Sequence, residues 1–135
     1  MENFITEKAY VVYIPAQKLI YFGCQGFLAY EELVHVTEYA YKMIQFYKLS
    51  KCVINLQEVS LYPPGTREYF GNIWYGKLLA AGIRRIAFVV PIDVFNKSCK
   101  AIVNAGTFIK SIGREYFADE TSAGEWLNTC PDFYC

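Results

Sequence analysis

The stretch Arg85-Ile86-Ala87-Phe88-Val89-Val90 decides the fold class. After Arg85 every side chain is apolar and several are β-branched, which is typical of a strand buried on both faces. Pro91 ends the strand because proline has no N–H to donate to a neighbouring strand. Gly82 precedes it and predicts a helix end, since glycine readily adopts the left-handed conformation of that position. A buried strand directly after a helix indicates an α/β protein.

Strand and helix patterns alternate on both sides of this stretch. Pro15-Ala16-Gln17-Lys18 separates two strand patterns by a short loop and predicts an antiparallel hairpin. The later strand patterns are separated by helical ones, which predicts parallel pairing through right-handed crossovers. The predicted strands are residues 9–14, 19–24, 52–56, 85–90 and 115–118; residues 57–65 are a predicted loop; the predicted helices are residues 31–49, 66–81 and 93–112, with a last one opening at the capping-box spacing of residues 122–125.

These elements predict a single α/β domain over residues 1–135. Its sheet is expected to be mixed and five-stranded, with the first strand antiparallel and the rest mainly parallel. Four helices are expected to cover the sheet.

Composition excludes several classes of protein. Hydrophobic residues make up 54% of the chain and charged residues 19%, so a disordered or fibrous chain is excluded. Lys and Arg total 13, as do Asp and Glu, which leaves no charge excess for binding nucleic acid. No apolar run has the length of a membrane span, so we expect no membrane insertion.

The cysteines and the first residues predict a reducing, cytoplasmic location. Residues 1–4 lack the basic and apolar regions of a secretory signal. The five cysteines are an odd number and form no C-x-x-C pair, so a disulfide framework is not expected. Cys130 and Cys135 lie in the tail without a third metal ligand nearby.

Two sequence features could indicate nucleotide binding or catalysis, but their context does not support either. Residues 71–77, GNIWYGK, match the beginning of a phosphate-binding loop, but they lie within a predicted helix and their middle is bulky. They indicate a packed helix with two small residues. His35 is the only histidine, which excludes a multi-histidine metal site within one chain, and its helical position indicates a solvated side chain.

The carboxyl ends of the predicted parallel strands collect polar residues, and ligands of open α/β sheets bind at that edge. The set is acidic and has no Lys or Arg, which disfavours phosphate or carboxylate ligands. A metal-dependent enzyme that uses Glu58, Asp93 and Asp119 is an alternative, since hard cations take oxygen ligands. Asp93 and Asp119 are equally explained as helix caps. The residues at this edge are Asn55, Gln57, Glu58, Ile92, Asp93, Asn96, Asp119 and Glu120.

Aromatic residues are concentrated around the second predicted helix. Phe70 and Trp74 are one turn apart and are expected in the core. Tyr62, Tyr69 and Tyr75 are harder to bury together, and an exposed patch of them predicts a partner surface or the wall of an apolar pocket.

The chain resembles the SpoIIAA-like (STAS-like) superfamily, in particular its small uncharacterised bacterial single-domain members. The resemblance covers nearly the whole chain and is carried by the hairpin ending at Gly26, the strand CVINL, Trp74, the stretch AGIRRIAFVVP at residues 81–91, the segment YFAD at residues 116–119, Ala123 and Trp126-Leu127.

The resemblance implies a SpoIIAA-like fold and a regulatory role. Classical members are anti-sigma factor antagonists that are switched by phosphorylation of a serine in an Asp-Ser-Ser-Gly-Leu type segment. Residues 61–66, LYPPGT, lack both serines and the aspartate, so no phosphoswitch is expected here. Thr66 is more simply explained as a helix-start residue.

We therefore expect a cytoplasmic, non-enzymatic interaction module without a cofactor. Its site is expected at the loop after the strand at residues 52–56, where it binds a protein partner or a small apolar ligand. A metal-dependent enzyme and a structural homodimer remain alternatives. The candidate site residues are Glu58, Tyr62, Thr66, Tyr69, Tyr75 and Asp93.

Overall fold

A computed structural model describes residues 1–91 and 97–129, except the side chains of residues 97 and 98. Its sheet contains six strands in chain order, β1 to β6. The strands are β1 (Phe4–Ile5), β2 (Ala9–Ile14), β3 (Leu19–Phe27), β4 (Lys51–Leu61), β5 (Arg85–Val89) and β6 (Gly113–Phe117). The first two pairings are antiparallel and the last three are parallel. The predicted mixed α/β sheet is confirmed, with six strands instead of five.

Helices connect the parallel strands, and one more follows the last strand. They are α1 (Tyr30–Tyr47), a continuous run of α2 (Thr66–Tyr69), a π-helical turn (Phe70–Trp74) and α3 (Tyr75–Ala80), then α4 (Lys97–Val103), a 3-10 turn (Phe108–Ser111) and α5 (Glu120–Asn128). Residues 71–77 are helical, as predicted. None of the helices in the described ranges is long and apolar enough to cross a membrane.

The two faces of the sheet are covered unequally. Successive parallel strands that advance in one direction through right-handed crossovers place all their connecting helices on the same face. The larger core lies there, between the sheet and α1, α3 and α4. Of the described helices, α5 alone packs on the other face, mainly against β4, β5 and β6, around Ala123 and Leu127.

The structure corrects three predicted boundaries. β4 continues to Leu61 through part of the predicted loop, because β3 also extends and pairs with it as far as Phe27. The helix predicted over residues 93–112 is interrupted, since Gly106 adopts a φ of 69°. The last helix begins at Glu120, before the predicted capping box, because Asp119 accepts a hydrogen bond from the Ser122 N–H at 2.7 Å.

A close backbone contact joins the π-helical turn to the loop after α4. A Cβ atom added to Gly71 would lie 2.8 Å from the Gly106 nitrogen, a distance that real Cβ contacts do not reach. A Cβ atom on Gly76, in the same helical run, would meet only the Phe108 ring at 3.0 Å. Phe108 is partly exposed and can turn aside.

We expect Gly71→Ala to lower the free energy of unfolding by about 1–3 kcal/mol, because backbone must move to admit the methyl group. Gly76→Ala is the matched control and is expected to cost less than about 1 kcal/mol, since a side chain can yield and alanine favours the helix. Urea unfolding monitored by circular dichroism measures both values. Equal losses in the two variants would contradict the close-contact explanation.

Candidate functional site

The loop predicted as the binding site lies at the end of β4. Glu58 is exposed on β4, opposite Gln25 of β3. The Tyr62 hydroxyl is buried beside the Cys99 thiol, and this burial raises the pKa of Tyr62 well above its usual value. Asp93 lies outside the described residues. In the described ranges, Glu58 and Asp119 belong to no cluster of three potential metal ligands.

The expectation that Tyr69 and Tyr75 form an exposed surface is wrong. Tyr75 is fully buried and donates a hydrogen bond to the Ile102 carbonyl at 2.8 Å. The Tyr69 hydroxyl lies 2.6 Å from the Thr37 hydroxyl in the core. Each phenol can be buried because it finds a polar partner there, which removes the cost of an unsatisfied hydroxyl.

Thr66 is also interior. Its hydroxyl donates to the Pro63 carbonyl at 2.6 Å and braces the turn that precedes α2. Thr66 is the first residue of α2, as the helix-start explanation predicted. The space beneath the loop, bordered by Tyr62 and Leu28, has a volume of only about 10 Å³. It holds at most one water molecule, so it offers no room for an apolar ligand.

Exposed apolar side chains nevertheless occur at the rim of this loop. Phe27 and Leu61 are register partners at the ends of β3 and β4, with exposed fractions of 53% and 58%. Tyr30 is also exposed, and its ring lies next to Gly65. We call Phe27, Tyr30 and Leu61 the ribbon patch. Register partners on parallel strands project to the same side, so Phe27 and Leu61 lie side by side.

A groove lies on the sheet face that α1 covers, between the first half of α1 and the β1–β2 segment. Its volume is about 570 Å³. The floor consists of the buried side chains of Ala9, Leu28 and Val36, and Phe4 forms one wall. We call this the α1 groove. Leu28 also borders the space beneath Tyr62, so the groove adjoins the predicted loop site.

The rim of the α1 groove carries charged side chains of both signs. The Lys8 ammonium lies 3.5 Å from the Glu32 carboxylate. This ion pair links the residue before β2 to α1. The Glu32 carboxylate also accepts a hydrogen bond from the Ala29 N–H at 2.9 Å, which lowers the pKa of Glu32. His35 is exposed, as predicted, and its ring meets Phe4 edge-on with the centroids 5.6 Å apart.

A polar network occupies the opposite sheet face, at the carboxyl edge. The Tyr10 hydroxyl donates to the Glu120 carboxylate. The Asn55 amide donates to Glu120 Oε2 at 3.0 Å and to the Tyr10 hydroxyl at 3.2 Å. Gln57 reaches the Ala118 carbonyl at 2.7 Å. The structure therefore brings Asn55, Gln57 and Glu120 together at the edge where polar residues were predicted to collect.

Sequence reasoning missed Tyr10. Tyr10 and Gly23 are register partners, and a Cβ atom on Gly23 would lie 2.3 Å from the Tyr10 ring. The ring therefore lies across β3 and carries the hydroxyl towards β4. A glycine within a strand, opposite an aromatic residue, is the signal that could have identified this arrangement. Burial, and then the Glu120 carboxylate, raise the pKa of Tyr10 well above its usual value near 10.

Comparison with known proteins defines the fold class. No family model matches the sequence, and no curated protein sequence matches it. The structure is similar to that of an uncharacterised DUF3478-family protein with a SpoIIAA-like fold from Shewanella loihica PV-4, with a TM-score of 0.54 and 12% sequence identity. The match covers 93% of this chain and 90% of that chain. The chain has a SpoIIAA-like fold, as the resemblance implied.

We expect Tyr10→Phe to lower the free energy of unfolding by about 1–2 kcal/mol at neutral pH, because a hydrogen bond to a carboxylate is lost. Tyr13→Phe is the matched control and is expected to change little, since the Tyr13 hydroxyl bonds to no described residue. Urea unfolding compares the two variants. A loss in Tyr13→Phe as large as that in Tyr10→Phe would contradict this account.

The difference in the free energy of unfolding between the wild type and Tyr10→Phe depends on pH. The pKa of Tyr10 is higher in the folded state than its value near 10 when unfolded. Below pH 10 the phenol is protonated in both states and its contribution is complete. Above pH 10 the Tyr10 phenol of the unfolded state ionises first, which favours unfolding of the wild type. The Phe variant has no phenol at this position and does not lose this contribution. The difference between the two proteins therefore shrinks as the pH rises above about 10.

Proposed function

We propose that this chain is a non-enzymatic binding module that takes a small, mainly apolar ligand in the α1 groove. The observation that carries the proposal is the volume of about 570 Å³ above a buried apolar floor. Small-molecule sites have volumes of about 300–1,000 Å³, apolar linings and a few polar groups that orient the ligand. The Lys8, Glu31 and His35 side chains supply such groups at the rim.

The absence of catalysis is part of the proposal and rests on the sequence. A single histidine and the lack of a nucleophile motif leave no recognisable reactive constellation. We also propose a cytoplasmic location. Cys24, Cys52 and Cys99 are buried free thiols, which supports a reducing compartment.

Ala9→Leu tests the ligand site by adding bulk at the groove floor. The neutral dye N-phenyl-1-naphthylamine serves as an apolar probe, and its fluorescence reports saturable binding. We expect Ala9→Leu to weaken dye binding at least about tenfold, a loss of about 1.4 kcal/mol. Ala16→Leu, in the β2–β3 turn away from the groove, is the control and should bind like the wild type. Native mass spectrometry of the purified wild type additionally shows whether a small molecule is carried along.

Unchanged dye binding in Ala9→Leu would contradict the location of the site. Urea unfolding verifies that the variant remains folded. If it does not, Glu31→Trp blocks the groove from its exposed rim, and Gln45→Trp on the same helix is its matched control.

A protein partner is the second candidate function, and the ribbon patch favours it. Exposed aromatic and aliphatic side chains that cluster on one surface are typical of interface cores. β3 and β4 carry Phe27 and Leu61 beyond the last residues that pair with β2 and β5. The patch therefore stands clear of the neighbouring strands.

We expect the double variant Phe27→Ser/Leu61→Ser to lose proteins that the wild type retains from an extract of the source cells. Phe46→Ser is the control, because Phe46 is equally exposed on α1 at 63% but belongs to no such cluster. Identical retained proteins in all three samples would contradict a role for the patch. Sedimentation velocity of the same variants separates a different partner from a homodimer, since only self-association changes the sedimentation of the purified protein.

A further inference from the structure

A trough runs along the sheet face that α5 leaves uncovered. The side chains of Tyr10, Val12 and Ile14 on β2 and Tyr21 on β3 are only half-buried there. They form a depression of about 330 Å³ that ends at Glu120. It continues past Gln17 and Tyr21 into a second depression of about 410 Å³ beside α5. We call the two together the β2–β3 trough.

Two tyrosine rings are set into this trough by glycines. Tyr10 lies against Gly23, and the Tyr21 hydroxyl occupies the space where a Cβ atom of Gly124 would lie, at 2.3 Å. Tyr21 also donates to Gln17 Oε1 at 3.0 Å. Because backbone and hydrogen bonds hold both rings, they are available as fixed aromatic surfaces.

The charge in the trough has one sign. Tyr10 and Asn55 both donate to Glu120 Oε2, which holds the carboxylate in place. Within the described residues Glu120 forms no ion pair, so its negative charge is not neutralised by a side chain. Glu125 adds a second carboxylate on the same side. Among the residues that the structure describes, no Lys, Arg or His lines the trough.

We propose that the β2–β3 trough binds an organic cation, a protonated amine with an aromatic or alkyl body. The ammonium group pairs with the fixed Glu120 carboxylate, and the apolar body lies over Val12 and Ile14. The faces of Tyr10 and Tyr21 attract the positive charge through their electron-rich rings. Charge complementarity and the apolar floor together select this class of ligand. The site is independent of the α1 groove, which lies on the other sheet face.

Other occupants fit the trough less well. A carboxylate or phosphate ligand would face Glu120 and Glu125 without a cationic side chain to offset the repulsion. A second copy of this chain that docked the same surface would bring two acidic troughs together. A bare metal ion finds no group of three acidic, histidine or cysteine ligands in the described ranges.

Phenethylamine is the probe, and isothermal titration calorimetry at low salt measures its binding to the intact chain. We expect saturable binding to the wild type and affinity at least about tenfold weaker in Glu120→Gln, since the charge is removed while the shape is kept. Glu115→Gln is the matched control, because Glu115 is exposed on β6 outside the trough, and it should bind like the wild type. Phenylacetate, the anionic counterpart, should show no saturable binding.

The proposal is overturned if phenethylamine does not bind the wild type at about 10 mM, a concentration that detects even millimolar affinity. It is also overturned if Glu120→Gln binds as tightly as the wild type, or if phenylacetate binds equally well. Tyr21→Leu is a second variant that leaves the Glu120 network in place and should weaken binding by removing one ring. Binding of the naphthylamine dye should persist in Glu120→Gln, which separates this site from the α1 groove.

Discussion

The chirality of the strand connections is the constraint on which the rest of this structure depends. β3 to β6 are parallel, adjacent and in chain order, so each connection crosses the sheet in the same direction. Right-handed crossovers then place α1, α3 and α4 together on one face. Only α5, which follows the last strand, is free to pack on the other. The larger core forms on the first face, and on the other the described helices leave much of β2 and β3 uncovered.

Both candidate ligand sites follow from this unequal covering. The α1 groove lies where the first half of α1 meets the β1–β2 segment at the edge of the covered face, with Ala9, Leu28 and Val36 as its floor. The β2–β3 trough exists because α5 packs mainly against β4, β5 and β6 and meets β2 and β3 at the Tyr10 and Tyr21 side chains. The Asp119 cap fixes the beginning of α5 and thereby puts Glu120 at the end of the trough. In the β2–β3 trough the apolar floor arises from the alternation of side chains along β2, which turns Val12 and Ile14 to this face.

Glycines determine how tightly the parts of the fold can approach one another. Gly71 and Gly106 let the π-helical turn contact the loop after α4 through backbone atoms. Gly23 and Gly124 make room for the Tyr10 ring and the Tyr21 hydroxyl instead, and these two side chains line the β2–β3 trough. The same residue type thus serves packing on one face and exposure of aromatic rings on the other.

Residue patterns by themselves determined the fold class, the antiparallel start of the sheet and the collection of polar residues at its carboxyl edge. These features depend on local periodicity, as in RIAFVV of β5, and on chirality rules that hold for any sequence. Only the tertiary structure decided that Tyr69 and Tyr75 are buried, because their exposure depends on distant acceptors such as the Ile102 carbonyl. It also decided that Tyr10 joins Asn55 and Glu120, since that network unites three elements far apart in the chain. A spacing pattern reports neighbours along the chain, whereas a site is made by neighbours across the sheet.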